Sequence, residues 1–70
     1  MDLVNEIMDY EAGEISMERF LMLFSELIFS GKAWTLQGHY GRTATDLINA
    51  GVIDANGAID WSKVEYNDAD

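Results

Sequence analysis

The segment WTLQGHYGRTA, residues 34–44, concentrates the residue types that most often carry out chemistry in this chain. It contains His39, the single histidine, and Arg42, one of two arginines. An imidazole is the side chain best suited to exchange protons near neutral pH. The serines and threonines, however, lie in no strained-turn context of the kind that activates a nucleophile. We therefore expect His39 to lie, partly exposed, at the start of a helix, and we expect no enzymatic activity.

The glycines of this segment do not form a phosphate-binding loop, because no strand precedes them and their spacing matches neither GxxxxGK[ST] nor GxGxxG. We expect a structural joint between two helices instead. Trp34 and Leu36 would fill the core, and Gly38 and Gly41 would permit a tight turn with positive φ available. Tyr40 would help to satisfy backbone groups at the helix ends. The predicted joint residues are Trp34, Leu36, Gly38, Tyr40, Gly41 and Arg42, with Arg42 able to pair with Asp46.

A second candidate is DANGAID, residues 54–60, which resembles part of a calcium loop. Placing Gly57 at the obligatory glycine puts Val52 at the first ligand position and Lys63 at the last. Starting at Asp54 instead puts Ile59 at the glycine position. Calcium needs oxygen ligands and the tight glycine turn at these positions, so neither register fits. The Asn56–Gly57 pair between two short β-like runs predicts a hairpin turn.

The carboxylates are the third candidate. Thirteen acidic residues against four basic ones give a net charge of −9. Such a chain repels nucleic acid and anionic membrane surfaces, so we expect direct binding to neither. An acidic surface favours a basic protein partner, and an ordered row of carboxylates would imitate a DNA backbone. Solubility alone is the competing explanation. With one histidine and no cysteine, we expect no metal and no cofactor.

Hydrophobic spacing predicts a mainly α-helical fold that positions these residues. We expect a helix from Leu3 to Glu11 with Asp2 as its N-cap, and a second from the Ser16 N-cap to about Ser30, ended by Gly31. A third helix is expected from about Tyr40 or Arg42 to Ala50, with Tyr40 on its inner face. The expected architecture is a compact three-helix domain at residues 1–53. An acidic extension follows at residues 54–70, as a short C-terminal β-hairpin or an extended tail in which Val64 and Tyr66 can pack back.

Two apolar residues do not fit the second helix, since Met22 and Phe29 project from its polar side, one heptad apart. Three explanations stay open: contact with the C-terminal segment, self-association as a homodimer, or a foreign partner. The predicted partner-binding residues are Met22, Phe29, Glu18, Glu26, Asp54 and Asp60. The start MDLVNEIMDY has no signal-peptide pattern, and no apolar run is long enough to span a membrane, so we expect a cytoplasmic protein.

The block AWTLQGHYGRTATDLINAGVI, residues 33–53, resembles the shared core of a family of short accessory proteins encoded by tailed phages and related bacterial loci. The resemblance covers about Met1 to Ile53 and includes the opening VNEIMDYEAGE. It implies no cofactor and no catalytic residues, and it implies an accessory role in the infected host cell. Small acidic phage proteins commonly bind a host machine such as RNA polymerase, a nuclease or a CRISPR-type complex.

The sequence therefore predicts a small interaction protein that binds, and inhibits or redirects, a host protein with a basic surface. Carboxylates would steer the encounter, and apolar anchors would supply most of the binding energy. The alternative is a homo-oligomeric structural or accessory module whose apolar excess is buried between copies.

Overall fold

The computed structural model describes residues 2–64, and it confirms a mainly helical fold. The elements in chain order are α1 (Leu3–Glu11), α2 (Met17–Ser30), a first 3₁₀ turn (Lys32–Trp34), α3 (Gly38–Asn49) and a second 3₁₀ turn (Trp61–Lys63). The predicted tail contact of Tyr66 lies outside the described residues.

The predicted caps set the ends of the first two helices. The Asp2 side chain accepts a hydrogen bond from the backbone N–H of Asn5, and Ser16 Oγ accepts one from the N–H of Arg19 at 3.2 Å. These bonds satisfy N–H groups that have no partner inside the helix. Gly31 ends α2 in the left-handed region at φ 81°, where a side chain would be strained.

Helix α2 builds the core. Among residues 2–64, nine apolar residues are buried, and α2 supplies five of them: Leu21, Leu23, Phe24, Leu27 and Ile28. The other four are Ala33, Tyr40, Ala44 and Ile53. Helix α1 has no buried residue and packs on this core through partly buried side chains. The core is therefore arranged around one helix rather than shared equally among three.

The predicted joint is wrong in its details. Trp34 is 51% exposed and Leu36 is 39% exposed, so neither fills the core. The first 3₁₀ turn places Ala33 inside instead, at 1% exposure, which leaves its two larger neighbours outside. An ideal Cβ on Gly41 would lie 3.7 Å from the Trp34 ring, so the indole rests against α3 from the outside.

The two glycines of the joint also differ from expectation, because both lie within α3 and neither has a positive φ. Helix α3 begins at Gly38, before the predicted start at Tyr40 or Arg42. Tyr40 lies on the inner face as expected and is 2% exposed. Within residues 2–64, Arg42 makes no ion pair, with Asp46 or with any other carboxylate.

The predicted C-terminal β-hairpin is wrong. Within residues 2–64 there is no strand, only an isolated antiparallel bridge between Ile53 and Ile59. The Asp54 carboxylate accepts hydrogen bonds from the backbone N–H groups of Asn56 and Ala58, so these groups do not pair with a neighbouring strand. The segment therefore closes as a loop that packs on α2. None of the helices among the described residues is long and apolar enough to cross a membrane.

Candidate interaction surface

The outer face of α2 carries an exposed line of alternating charged and apolar side chains. Glu18, Met22, Glu26 and Phe29 follow one another at spacings of three and four residues, which places them on one side of a helix. All four are exposed, and Phe29 is the most exposed large apolar side chain among the described residues, at 75%. We call these four residues the outer stripe.

The stripe is exposed because the opposite face of α2 is already fully occupied by the core. Leu23, Phe24 and Leu27 are completely buried on that inner face. An amphipathic helix normally places only polar side chains on its solvent side. Met22 and Phe29 are therefore only partly covered by the packing of α2 on the rest of the chain.

The C-terminal segment reaches α2 but does not cover the stripe. An ideal Cβ on Gly57 would lie 3.1 Å from Phe29 Cβ and 2.6 Å from the Ser25 carbonyl oxygen. Ser25 Oγ donates a hydrogen bond to the Gly57 carbonyl at 2.5 Å. The contact is made through backbone and through the base of Phe29, so the ring stays in solvent. Contact with the C-terminal segment was the first of the three explanations for the apolar pair Met22 and Phe29. It explains where the loop lies on α2, but it does not explain why the Phe29 ring is exposed.

Asp54 and Asp60, the two predicted partner contacts outside α2, organise the loop. Asp54 Oδ1 accepts from the N–H groups of Asn56 and Ala58 at 2.8 and 3.0 Å. Asp60 Oδ1 accepts from the N–H and the hydroxyl of Ser62, and these bonds lower the pKa of Asp60. Both carboxylates are exposed and keep their second oxygen free of these turn hydrogen bonds. These turn roles were not predicted, although the Asp-x-Asn and Asp-x-Ser spacings are typical of such turns.

An ion-pair cluster that was not predicted from the sequence connects α1 to α2. Arg19 Nε lies 3.0 Å from Glu6 Oε1, and Arg19 Nη2 donates to both Glu6 Oε2 at 3.1 Å and Asp9 Oδ2 at 2.5 Å. The two carboxylates raise the pKa of Arg19 above its ordinary value. Two of the N-terminal carboxylates are thus engaged within the chain. Their separation of three residues on one helix face was the available signal.

His39 lies in an aromatic cluster rather than beside a nucleophile. Its ring centroid is 4.2 Å from that of Tyr40 and 6.1 Å from that of Tyr10. The Tyr40 hydroxyl donates to Glu11 Oε2 at 2.5 Å, and burial together with this bond raises the pKa of Tyr40. Within residues 2–64, no three His, Asp or Glu side chains are grouped so that they could hold a metal ion.

The comparison with protein families matches residues 1–68 to the family described as a domain of unknown function, DUF7417. The chain belongs to this family. The match continues through residues 54–68, which lie beyond the predicted three-helix domain. Comparisons with curated proteins and with solved structures gave no match.

Proposed function

We propose that this chain is a small acidic accessory protein of tailed-phage type, which binds a basic surface of a host protein and thereby inhibits or redirects that protein. The tailed-phage part of the proposal rests on the resemblance carried by WTLQGHYGRTA. The binding part rests on the outer stripe of α2.

The single observation that carries the proposal is the exposure of Phe29. A phenylalanine that is 75% exposed on the helix that builds the core gives up the free energy it would gain by burial. Binding recovers that free energy if the partner offers an apolar pocket. Met22 lies one heptad away and adds a flexible apolar surface that adapts to such a pocket.

The carboxylates determine which partner suits the stripe. Glu18 precedes Met22 by four residues, and Glu26 lies between Met22 and Phe29. A matching surface therefore has an apolar pocket bordered by lysine or arginine. The net charge of −9 steers the chain toward such a surface during diffusion. Host proteins of this kind include RNA polymerase, nucleases and CRISPR-type complexes, whose grooves hold nucleic acid.

Capture from extracts of the host cell tests the proposal when two matched variants are compared. The test variant is Met22→Ala/Phe29→Ala. The control is Val4→Ala/Met8→Ala, which removes two exposed apolar side chains, 66% and 61% exposed, from α1. We expect a host protein, identified by mass spectrometry, to be retained by the wild type and the control and lost by the test variant.

A direct binding measurement with the purified host protein completes the experiment. We expect truncation of the two anchors to weaken binding at least about thirtyfold, which corresponds to roughly 2 kcal/mol. We also expect affinity to fall as ionic strength rises. Equal retention of the same proteins by the test and control variants would contradict the proposal.

The competing candidate is a homo-oligomeric module, and the number of exposed apolar side chains favours it. Eight large apolar residues of the described part are exposed: Val4, Met8, Met17, Met22, Phe29, Trp34, Leu36 and Trp61. Sedimentation at micromolar concentration separates the two candidates. A stable dimer that Met22→Ala/Phe29→Ala dissociates would place the stripe between copies, whereas a monomer leaves it available for a host protein.

A further inference from the structure

A shallow polar groove lies where α1 ends and α3 begins. It is lined by Tyr10, Glu11, Gln37 and His39 and has a volume of about 470 Å³. The groove is separate from the outer stripe, since none of its lining residues belongs to α2. Its lining supplies one carboxylate, one amide and two aromatic rings.

The α1 side of the groove is negative. Glu11 is the final residue of α1, and the last turn of this helix has no basic residue. The carbonyl end of a helix carries partial negative charge, which a carboxylate in the last turn increases. A cation bound there would relieve this repulsion. Within residues 2–64, no lysine or arginine pairs with Glu11.

The carboxylate is also held in place before any ligand arrives. Glu11 Oε2 accepts the hydrogen bond from the buried Tyr40 hydroxyl. Its second oxygen makes no hydrogen bond to residues 2–64. A positioned acceptor loses less conformational entropy when a donor binds.

The rings suit a planar cation. Tyr10 and His39 lie at an interplanar angle of 26°, with centroids 6.1 Å apart. A guanidinium stacks on an aromatic face and donates hydrogen bonds in its own plane, whereas an ammonium is a strongly hydrated point charge. The groove also adjoins the positive N-terminus of α3, whereas the Arg42 guanidinium approaches Gly38 and does not line the groove.

We infer that this groove binds the guanidinium of an arginine on the surface of a protein partner. The inference rests on the proposed function, because it names a second contact to the same basic partner. Glu11 supplies the ionic hydrogen bond, Gln37 supplies an amide oxygen, and the rings of Tyr10 and His39 supply stacking.

The test is an NMR titration of the whole chain with N-acetyl-arginine-methylamide. The uncharged probe is the matching citrulline compound, and a lysine compound tests ammonium. We expect saturable shifts at Glu11, Gln37 and His39 with the arginine probe, with a dissociation constant on the order of 1 mM, as a ligand of this size typically reaches. We expect weaker shifts with lysine and none with citrulline.

Glu11→Gln is the test variant, and Asp46→Asn is its control because it removes the same charge from an exposed position on α3, outside both the groove and the outer stripe. We expect Glu11→Gln to weaken arginine binding at least about tenfold and Asp46→Asn to leave it unchanged. If Glu11→Gln does not fold, Gln37→Ala and His39→Ala replace it, each expected to weaken binding severalfold. Equal weakening by Glu11→Gln and Asp46→Asn would overturn the inference.

Two further arms identify the ligand. Free arginine binding much more tightly than the capped amide would indicate a metabolite site, and inorganic phosphate producing the same shifts would indicate an anion site at the start of α3. Either result overturns the inference. Because the titration uses no host protein, it can fail while the capture experiment on the outer stripe succeeds, and the reverse is equally distinguishable.

Discussion

At the scale of single residues, Tyr40 contributes both to the core and to the groove. Its ring lies in the core, and its hydroxyl reaches the Glu11 carboxylate at the edge of the groove. The burial and the negative neighbour both favour the protonated phenol, so the pKa of Tyr40 is raised in the folded chain. The unfolded chain has the ordinary tyrosine pKa of about 10.

The raised pKa of Tyr40 makes stability fall at alkaline pH. Between the unfolded and the folded pKa, the native chain holds a proton that the unfolded chain has lost, so the free energy of unfolding decreases as pH rises. The contribution is fully present below pH of about 10 and is lost as pH rises through the folded pKa. Urea unfolding across this range should show a steeper loss for wild type than for Tyr40→Phe.

Tyr40→Phe should also lower the free energy of unfolding by about 1 kcal/mol at neutral pH, because one hydrogen bond is lost. Tyr10→Phe is the control, because it keeps the Tyr40–Glu11 bond. The same alkaline loss in Tyr40→Phe as in wild type would show that another group causes it.

The exposure of Trp34 limits how much its substitution should lower the free energy of unfolding. Because its indole is half exposed, Trp34→Ala should lower the free energy of unfolding by about 2 kcal/mol. Phe24→Ala removes a completely buried ring and should cost about 3–5 kcal/mol. Thermal or urea unfolding of the two variants checks the order. If Trp34→Ala were the more destabilising, the indole would be packed more tightly than its exposure indicates.

At the scale of elements, α1 is held by the Arg19 ion pairs as well as by partly buried apolar side chains. The helix has no buried residue, and its charged anchor is the contact of Arg19 with Glu6 and Asp9. Arg19→Met should therefore increase hydrogen exchange of α1 amides while α2 amides keep their protection. Arg42→Met, which breaks no ion pair within residues 2–64, is the control. Equal exchange of α1 in both variants would show that apolar contacts alone hold it.

The loop at residues 54–60 depends on one glycine. Gly57→Ala introduces a Cβ at φ 91° that would meet the Ser25 carbonyl at 2.6 Å. We expect a loss of about 2–3 kcal/mol, measured by urea unfolding, from strain and steric overlap together. Gly13→Ala separates the two causes, since its φ is 73° and nothing lies within 4 Å of the added Cβ. The expected loss for Gly13→Ala is about 1 kcal/mol. A loss as large as that of Gly57→Ala would show that backbone strain alone, without steric overlap, explains both.

The elements also show what the sequence allows one to predict. The spacing of apolar residues and the caps Asp2, Ser16 and Gly31 define α1 and α2 because these signals are local. The predictions for the position of Trp34 and for the path of residues 52–60 were wrong, because both features depend on contacts between segments that are distant in sequence. Gly57 contacts Ser25 of α2, although α3 lies between these two residues along the chain. No local sequence pattern encodes such a contact.

Of the two candidate binding regions, the outer stripe could be predicted from the sequence and the groove could not. Helical spacing placed Met22 and Phe29 on the polar side of α2, and the structure leaves them exposed. The groove of Tyr10, Glu11, Gln37 and His39 joins the end of one helix to the start of another. Its members are separated along the chain and become neighbours only after folding, so the sequence analysis did not group them.

At the scale of the whole molecule, charge opposes compactness. A net charge of −9 on 70 residues produces repulsion that salt screens. The melting temperature should therefore rise from low to physiological ionic strength, despite weakening of the Arg19 pairs. Glu18→Gln/Glu26→Gln removes two of the charges, from −9 to −7, and should show a smaller rise. A falling melting temperature would mean that the attractive pairs outweigh the repulsion.

Helix α2 forms the core with one face and presents the outer stripe with the other. Substitutions on the inner face are constrained by packing, whereas substitutions on the outer face leave the interior unchanged. The two faces can therefore evolve under separate pressures. A chain built in this way can follow a changing partner, or acquire a new one, without giving up the interior that keeps it folded.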